Sequence, residues 1–299
     1  MSTQATPAAT TTDAQHAASP GLDTGAAGVV PPRRLALRLR DFVASAWPPL
    51  IVFVLFIGLW WLISETVYAD QDYLLPGPWA VLETGWTNAG EIWSATRITL
   101  VEAAAGYAAA ILIGMTAAII MSQAKWLERS LYPYAVMLQT VPVVAVAPII
   151  VLWFGYNQRS VIVVAFMIAV FPIINNTLLG LLSADRNHVD LFRLHRVSRL
   201  TEFVKLRLPG ALPHLFAGLR VSAGLSVIGA IVGEFIIGAG GSEGGLGVKV
   251  IFSQGKLDTD MLFAEVVAAT ALGFGFFVLV SYIGATLLRN WHESAAKRD

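Results

Sequence analysis

Long apolar segments separated by shorter polar connections make up most of the chain after residue 46. Because the hydrocarbon core of a bilayer is about 30 Å thick, a helix needs about 20 apolar residues to cross it. Six segments approach or exceed that length, which predicts an all-α polytopic membrane protein with about six transmembrane helices. The predicted spans are Trp47–Val67, Ile98–Ser122, Leu131–Trp153, Val161–Leu182, Pro213–Ile237 and Met261–Leu288.

The third segment contains three prolines, Pro133, Pro142 and Pro148. Proline lacks the backbone N–H and its ring clashes with the preceding turn, so a broken or re-entrant helix is expected here. Backbone groups freed by such a break are tolerated inside a membrane only where protein or a water-lined cavity satisfies them. Pro142 and Pro148 are therefore candidate pathway residues. The alternative is that prolines are simply more frequent in membrane helices.

Basic residues are unevenly distributed between the two sides of the predicted bundle. Fifteen of the twenty Lys and Arg residues fall on the side that carries both termini. By the positive-inside rule this side is cytoplasmic. Residues 1–32 are rich in Ala, Thr, Gly and Pro and are predicted to form a disordered cytoplasmic tail. Residues 33–299 are predicted to form the transmembrane domain.

Composition supports a membrane protein and narrows the chemistry. Hydrophobic residues make up 56% of the chain and charged residues 13%, whereas a soluble domain is roughly 25% charged. The formal net charge of zero gives no electrostatic basis for binding nucleic acid. The chain has no cysteine and five scattered histidines, so we predict neither a metal site nor catalytic residues.

Small residues recur at every fourth position in two of the predicted spans. Such a repeat places them on one helix face, where backbones approach closely and gain van der Waals contact. The repeat therefore predicts helix packing rather than a binding site. Its members are Gly106, Ala110, Gly114 and Ala118 in the second span, and Gly229 and Gly233 in the fifth.

The connection Ser183–Leu212 is longer than the other predicted cytoplasmic connections and is mostly polar. Apolar residues recur in it at helical spacing, namely Leu191, Leu194, Val197 and Leu200. This pattern predicts one or two short amphipathic helices under the membrane, ended by Pro209, which cannot extend a helix. On periodicity alone, a basic amphipathic loop resting on anionic lipid is the simpler interpretation.

Motifs in this connection indicate a more specific role. Asp190 and the later run Leu206-Arg207-Leu208-Pro209 resemble the cytoplasmic EAA loop of binding-protein-dependent ABC permeases. That family's loop runs Glu-Ala-Ala, three residues, Gly, nine residues, Ile-x-Leu-Pro. Here Asp190 stands for the Glu and Leu206 for the Ile, while Leu208 and Pro209 match. The resemblance implies that these four residues couple the chain to an ATPase.

The same loop also departs from the family's pattern. Leu191 and Phe192 replace the two Ala, and Arg196 replaces the Gly. Large residues at these positions are expected to change how tightly the loop helix docks on the ATPase.

The resemblance extends from about Leu74 to Leu288. Further matching segments are Leu74–Pro78, Thr140–Pro148, Leu152–Gly155, Phe171–Ile173, Gly233-Glu234-Phe235 and Gly245-Leu246-Gly247. The nearest branch imports sulfonates, nitrate, taurine or pyrimidine precursors of thiamine. The resemblance implies a type I ABC importer permease in the bacterial cytoplasmic (inner) membrane, with both termini cytoplasmic.

The resemblance also implies the partners. They are a second permease chain in a homodimer, cytoplasmic ATP-binding subunits, an extracytoplasmic solute-binding protein and the surrounding lipid bilayer. The chain lacks the phosphate-binding pattern G-x-x-x-x-G-K-[ST]. ATP is therefore expected to bind the partner subunit, with no cofactor in this chain and no enzyme activity of its own.

Glu234 lies about one turn from the outer end of the fifth span. Ionisable groups inside a membrane are costly and by default functional, so Glu234 is a candidate for the outer gate or the solute path. The alternative is that it reaches water, as Glu102 and Glu265 near other span ends are expected to do. An ion-coupled secondary transporter is the competing class. It would normally show an inverted repeat and midplane ionisable groups, and the chain shows no clear sign of either.

Overall fold

The computed structural model describes residues 33–69, 73–237 and 244–296, and the regular elements among them are all helical. The predicted tail, residues 1–32, lies outside the described residues. The elements are α1 Arg33–Thr66, α2 Pro78–Thr87, α3 Ala89–Ser122, α4 Lys125–Thr140, α5 Val143–Phe154, α6 Gln158–Leu182, α7 Arg186–Leu194, α8 Arg199–Glu202, a π-helical turn Phe203–Arg207, α9 Leu208–Ile237, α10 Leu246–Lys256 and α11 Thr259–Ala296.

The chain divides into two compact units, residues 1–55 and 56–299. The described part of the first unit is helical, because it consists of the beginning of α1. The second unit contains the rest of α1 and all later helices. The family motifs fall within this second unit.

Five helical segments among the described residues are long and apolar enough to cross a membrane. The pair α4–α5 makes a sixth span if it is counted as one. The prediction of an all-α membrane protein with about six spans is therefore confirmed. The five segments are Trp47–Thr66, Ala89–Ser122, Gln158–Leu182, Arg199–Ile237 and Thr259–Leu288.

The third predicted span is broken, as its prolines suggested. Helices α4 and α5 meet at an angle of 97°. The break lies at Val141 and Pro142. Val141 has an extended backbone (φ −64°, ψ 121°), because the ring of a following proline clashes with helical backbone at the preceding residue. Pro133 and Pro148 lie inside α4 and α5 without ending them.

The expectation that Pro209 ends the cytoplasmic helices is wrong. Pro209 is the second residue of α9, and helical backbone runs without interruption from Arg199 to Ile237. The turn Phe203–Arg207 immediately before it is π-helical, and the N–H of Leu208 donates to the carbonyl of Phe203. This wider turn loosens the backbone against which the proline ring would otherwise clash.

Helix α6 packs against both α3 and α9, and close packing of small residues fixes all three. A Cβ on Gly106 of α3 would lie 2.6 Å from the Cβ of Ala165 in α6. A Cβ on Gly229 of α9 would lie 2.7 Å from the Cα of the same Ala165. All members of the predicted small-residue repeats are buried, so that prediction is confirmed. Ser222 adds a hydrogen bond between helices, since its Oγ donates to the carbonyl of Ala169 at 2.7 Å.

Candidate functional site

Helix α7 stands clear of the membrane-spanning helices. None of its nine residues, all of them within the described part of the chain, is buried. Leu191 and Leu194 are 48% and 81% exposed, and Leu200 on α8 is 73% exposed. Exposed apolar side chains on a polar helix favour an interaction with another surface. The amphipathic stripe predicted from the sequence therefore exposes its apolar side chains.

The four predicted coupling residues are divided between two helical segments. Asp190 lies on α7, is exposed, and forms a loose ion pair with Arg193 at 3.7 Å. Leu206 lies in the π-helical turn, and Leu208 and Pro209 begin α9; all three are partly buried. The hydrogen bonds and ion pairs found among the described residues do not join Asp190 to the other three. Their coupling role stays a prediction.

Arg196 lies in a turn whose backbone favours the Gly that the resemblance places at this position. Its φ of 51° is left-handed, a conformation that glycine adopts at little cost and other residues rarely adopt. The N–H of Arg196 donates to the carbonyl of Arg193, and the N–H of Val197 donates to the carbonyl of Phe192. These two bonds are the Schellman pattern that ends a helix, and the left-handed residue in that pattern is usually glycine. Arg196 therefore adopts a turn that the Gly expected from the resemblance would adopt at lower cost.

A basic cavity of about 460 Å³ lies between the end of α3 and this segment. Arg207 donates from Nε and Nη2 to Oε1 of Glu202, at 2.9 and 2.7 Å. Arg193 and Arg199 add two further positive charges to the lining, which makes the cavity complementary to an acidic surface. The complete lining is Ser122, Gln123, Arg193, Val197, Arg199, Glu202, Phe203 and Arg207.

At the other end of α9, Glu234 is 1% exposed and does not reach water. Its Oε1 accepts a hydrogen bond from the hydroxyl of Thr99 on α3 at 2.8 Å. Its Oε2 accepts from the N–H of Gly247 on α10 at 2.6 Å. The hydroxyl of Thr99 in turn accepts from the N–H of Leu246 at 2.8 Å. The carboxyl group of Glu102 lies beside that of Glu234.

The other candidate pathway residues have different surroundings. Pro142 and Pro148 are exposed, whereas Glu234 is buried. The hydrogen-bond partners of Glu234 lie on α3 and α10, not on α5, which begins directly after Pro142 and contains Pro148. Their roles in the solute path stay predictions. Glu102 and Glu265 are 3% and 1% exposed, so the expectation that they reach water is wrong. Their helices pack against α9 and α10, and this packing covers both side chains.

Sequence reasoning missed the partners of Glu234. Thr99 carries no local signal, because it is one of several hydroxyl residues in a long apolar helix. Gly245 and Gly247 were recognised only as part of a family motif. A Cβ on Gly245 would overlap Glu234 Oε1 and Thr99 Oγ1, and one on Gly247 would lie 2.6 Å from the carbonyl oxygen of Ile231.

Comparison with known proteins gives one family. Residues 110–297 match the family described as "Binding-protein-dependent transport system inner membrane component". A "Probable ABC transporter permease protein" of Haemophilus influenzae is 31% identical over 79% of this chain and 94% of its own length. A riboflavin transport system permease protein of Chloroflexus aurantiacus is 30% identical over 89% and 98%. A formylaminopyrimidine transport permease protein of Halalkalibacterium halodurans is 32% identical over 82% and 96%.

Proposed function

Since this chain belongs to the binding-protein-dependent transport system inner membrane component family, we propose that it forms the solute pathway of its importer and couples that pathway to ATP hydrolysis through α7 and α8. Membership itself makes the chain a multi-pass inner membrane protein and a non-catalytic permease subunit of an ABC importer. It also implies an ATPase and a solute-binding protein as partners. The family match over residues 110–297 is the observation that carries the proposal.

The proposed ATPase contact is the exposed stripe of α7 and α8 together with the basic cavity beside it. Leu191, Leu194 and Leu200 offer apolar area, and Arg193 and Arg199 offer positive charge to an acidic rim. The proposal places this face in the cytoplasm, together with both termini, because fifteen of the twenty basic residues lie on that side of the spans. ATP binds the partner in this scheme.

The proposed assembly has two copies of this chain, two ATPase subunits and one extracytoplasmic binding protein. Five or six spans per chain are few for a closed pathway, and a second copy doubles them. Closure of the ATPase dimer on ATP would move the two α7 helices together. A rigid-body switch of the bundle between inward and outward access follows from that movement.

The proposed solute is a small organic molecule or anion that the binding protein delivers. Two relatives are named for riboflavin and for formylaminopyrimidine, and these names favour a nitrogen heterocycle. Sulfonates, taurine and nitrate are the other classes that the family branch implies. Uptake of labelled formylaminopyrimidine, with each of the other classes as competitor, distinguishes among them.

The test of coupling is purification of the tagged full-length chain from its native membrane, followed by mass spectrometry of the proteins that accompany it. We expect an ATPase with a phosphate-binding loop at equal stoichiometry. Leu194→Glu should abolish its recovery, because it places a charge in the proposed contact. Leu257→Glu is the matched control, since Leu257 is similarly exposed (77%) but lies on the opposite side of the predicted bundle.

A homo-oligomer purified without any ATPase would overturn the proposal. The ion-coupled secondary transporter would then become the first alternative. Uptake that survives ATP depletion but stops with an uncoupler would support that alternative, and uptake with the opposite response would exclude it.

A further inference from the structure

Helix α3 meets the consecutive helices α9 and α10 at one buried hydrogen-bond cluster. Glu234 near the end of α9 accepts from Thr99 of α3 and from Gly247 in the first turn of α10. Thr99 also accepts from the N–H of Leu246, the first residue of α10. We call this cluster, Thr99, Glu234, Leu246 and Gly247, the outer clasp. Each of the four residues is buried.

The outer clasp provides hydrogen-bond acceptors, from residues on other helices, for the first N–H groups of α10. The first N–H groups of a helix have no partner within the helix, and Gly245, the N-cap residue before α10, has no side chain that could accept from them. Thr99 and Glu234 supply the missing acceptors. A carboxyl group at this position also interacts favourably with the positive end of the helix dipole.

Two glycines are required for this arrangement. A Cβ on Gly245 would overlap the clasp oxygens of Glu234 and Thr99. A Cβ on Gly247 would lie 2.8 Å from the Cβ of Glu234, which is shorter than the contacts that Cβ atoms make in proteins. The motifs Gly233-Glu234-Phe235 and Gly245-Leu246-Gly247 are therefore two halves of one contact. Gly233 instead faces α6, because a Cβ there would lie 3.1 Å from Val161.

We propose that the outer clasp is a positioning device that holds α10 against the ends of α3 and α9, and that Glu234 acts in transport by fixing α10 rather than by contacting solute. Burial supports this over a solute-lining role, since Glu234 is 1% exposed and Thr99 is fully buried. The structural part stands on the contacts alone. The part concerning transport rests on the proposed function.

The first experiment measures the position of α10 directly. The chain has no cysteine, so spin labels can be attached at Gln254→Cys on α10 and Trp93→Cys on α3, both exposed positions, without removing any native thiol. Distances between the labels are recorded by pulsed electron paramagnetic resonance on the full chain in lipid nanodiscs. Thr99→Val should broaden the distance distribution, and Thr99→Ser, which restores the hydroxyl, should return it to that of the parent.

Thr96→Val is the matched control. Thr96 lies on the same helix, and its hydroxyl donates within that helix to the carbonyl of Ile92 at 2.7 Å. The control should leave the distribution unchanged. If Thr99→Val and Glu234→Gln both give the parental distribution, the outer clasp does not position α10 and the inference fails. If the valine variant does not fold, Glu234→Gln keeps the test decisive, because it replaces one accepting oxygen with an amide nitrogen and should also broaden the distribution.

The second experiment asks how the clasp affects uptake. Removing one partner of a buried hydrogen bond leaves the other group unsatisfied, which shifts an equilibrium by about tenfold. Thr99→Val and Glu234→Ala should therefore lower maximal uptake in parallel with an unchanged KM, and the double variant should be no worse than the more affected single variant. A raised KM in Glu234→Ala alone would instead assign Glu234 to the solute path. Since the label distances need no transport, failure of the clasp and failure of the proposed function are distinguishable.

Discussion

Two glycines of α9 have opposite surroundings, so the same substitution should have opposite effects. A Cβ at Gly224 would meet nothing within 4 Å, whereas a Cβ at Gly229 would lie 2.7 Å from the Cα of Ala165. Non-bonded carbon atoms attract best at about 3.5–4.0 Å, so this Cβ would be roughly 1 Å too close. Both atoms are anchored to helix backbones, and α6 and α9 would have to move apart.

The free energies follow from these contacts. Replacing Gly by Ala in a helix interior stabilises by about 0.5–1 kcal/mol, and Gly224→Ala should show that gain. Gly229→Ala has the same gain but also overpacks the helix contact, which costs about 1–3 kcal/mol. The two variants should therefore differ by about 1–3 kcal/mol, with Gly224→Ala the more stable protein.

Thermal unfolding of the purified permease in detergent, followed by tryptophan fluorescence, measures this difference. A domain of 150–250 residues shifts its Tm by about 2–4 °C per kcal/mol. We expect Gly224→Ala to melt at or above the parent and Gly229→Ala to melt about 2–12 °C below Gly224→Ala. If Gly229→Ala melts as high as Gly224→Ala, then α6 and α9 are not in backbone contact at Ala165 and the packing argument is wrong.

Three further predictions concern single contacts. Arg196→Gly should stabilise the end of α7 by up to about 1 kcal/mol, because it removes a non-glycine residue with left-handed backbone. Slower amide hydrogen exchange in α7 would show this stabilisation, and unchanged exchange would contradict it. Ser222→Ala should lower the free energy of unfolding by about 0.6 kcal/mol, because it removes the hydrogen bond to the carbonyl of Ala169 on another helix. Ser226→Ala should lower it by less, because the Ser226 hydroxyl donates within its own helix, and melting curves of the two variants test the difference. Asn157→Ala should destabilise the start of α6 by about 1 kcal/mol, since its Oδ1 caps that helix. Asn157→Asp keeps the capping oxygen but loses the donor to the carbonyl of Phe154, so it should melt between Asn157→Ala and the parent.

The membrane spans were predictable because bilayer thickness imposes a length on each apolar run. Their ends were not, since polar residues extend a helix beyond its apolar window. Thus α3 begins at Ala89 rather than at Ile98. Prolines were only partly informative. Pro142 breaks its span, but Pro209 does not, because the π-helical turn before Pro209 accommodates the ring and no local sequence signal predicts that turn.

The candidate site was likewise predictable only in part. Glu234 was recognisable as an ionisable residue near the end of a span, and the stripe of α7 was visible in its periodicity. The partners of Glu234 were not, because Thr99 lies 135 residues earlier and only the packing of α3 against α9 brings the two together. Arg196 could be identified as a departure from the family's glycine. Its left-handed backbone, which makes that departure costly, is a property of the fold.

Helix α9 connects the two regions that matter for the proposed mechanism. The uninterrupted helical segment Arg199–Ile237 is about 58 Å long at 1.5 Å per residue, and it begins with α8 beside the basic cavity and ends beside Glu234. Close packing on α6 at Gly229 and the hydrogen bond from Ser222 fix α9 along its length. Packed helices move as units rather than deforming continuously, so a displacement of α8 would reach the outer clasp without crossing a loop. In the proposed mechanism, α8 and the outer clasp therefore act on one continuous helix, and substitutions at its two ends should be non-additive in uptake although they lie on opposite sides of the bundle.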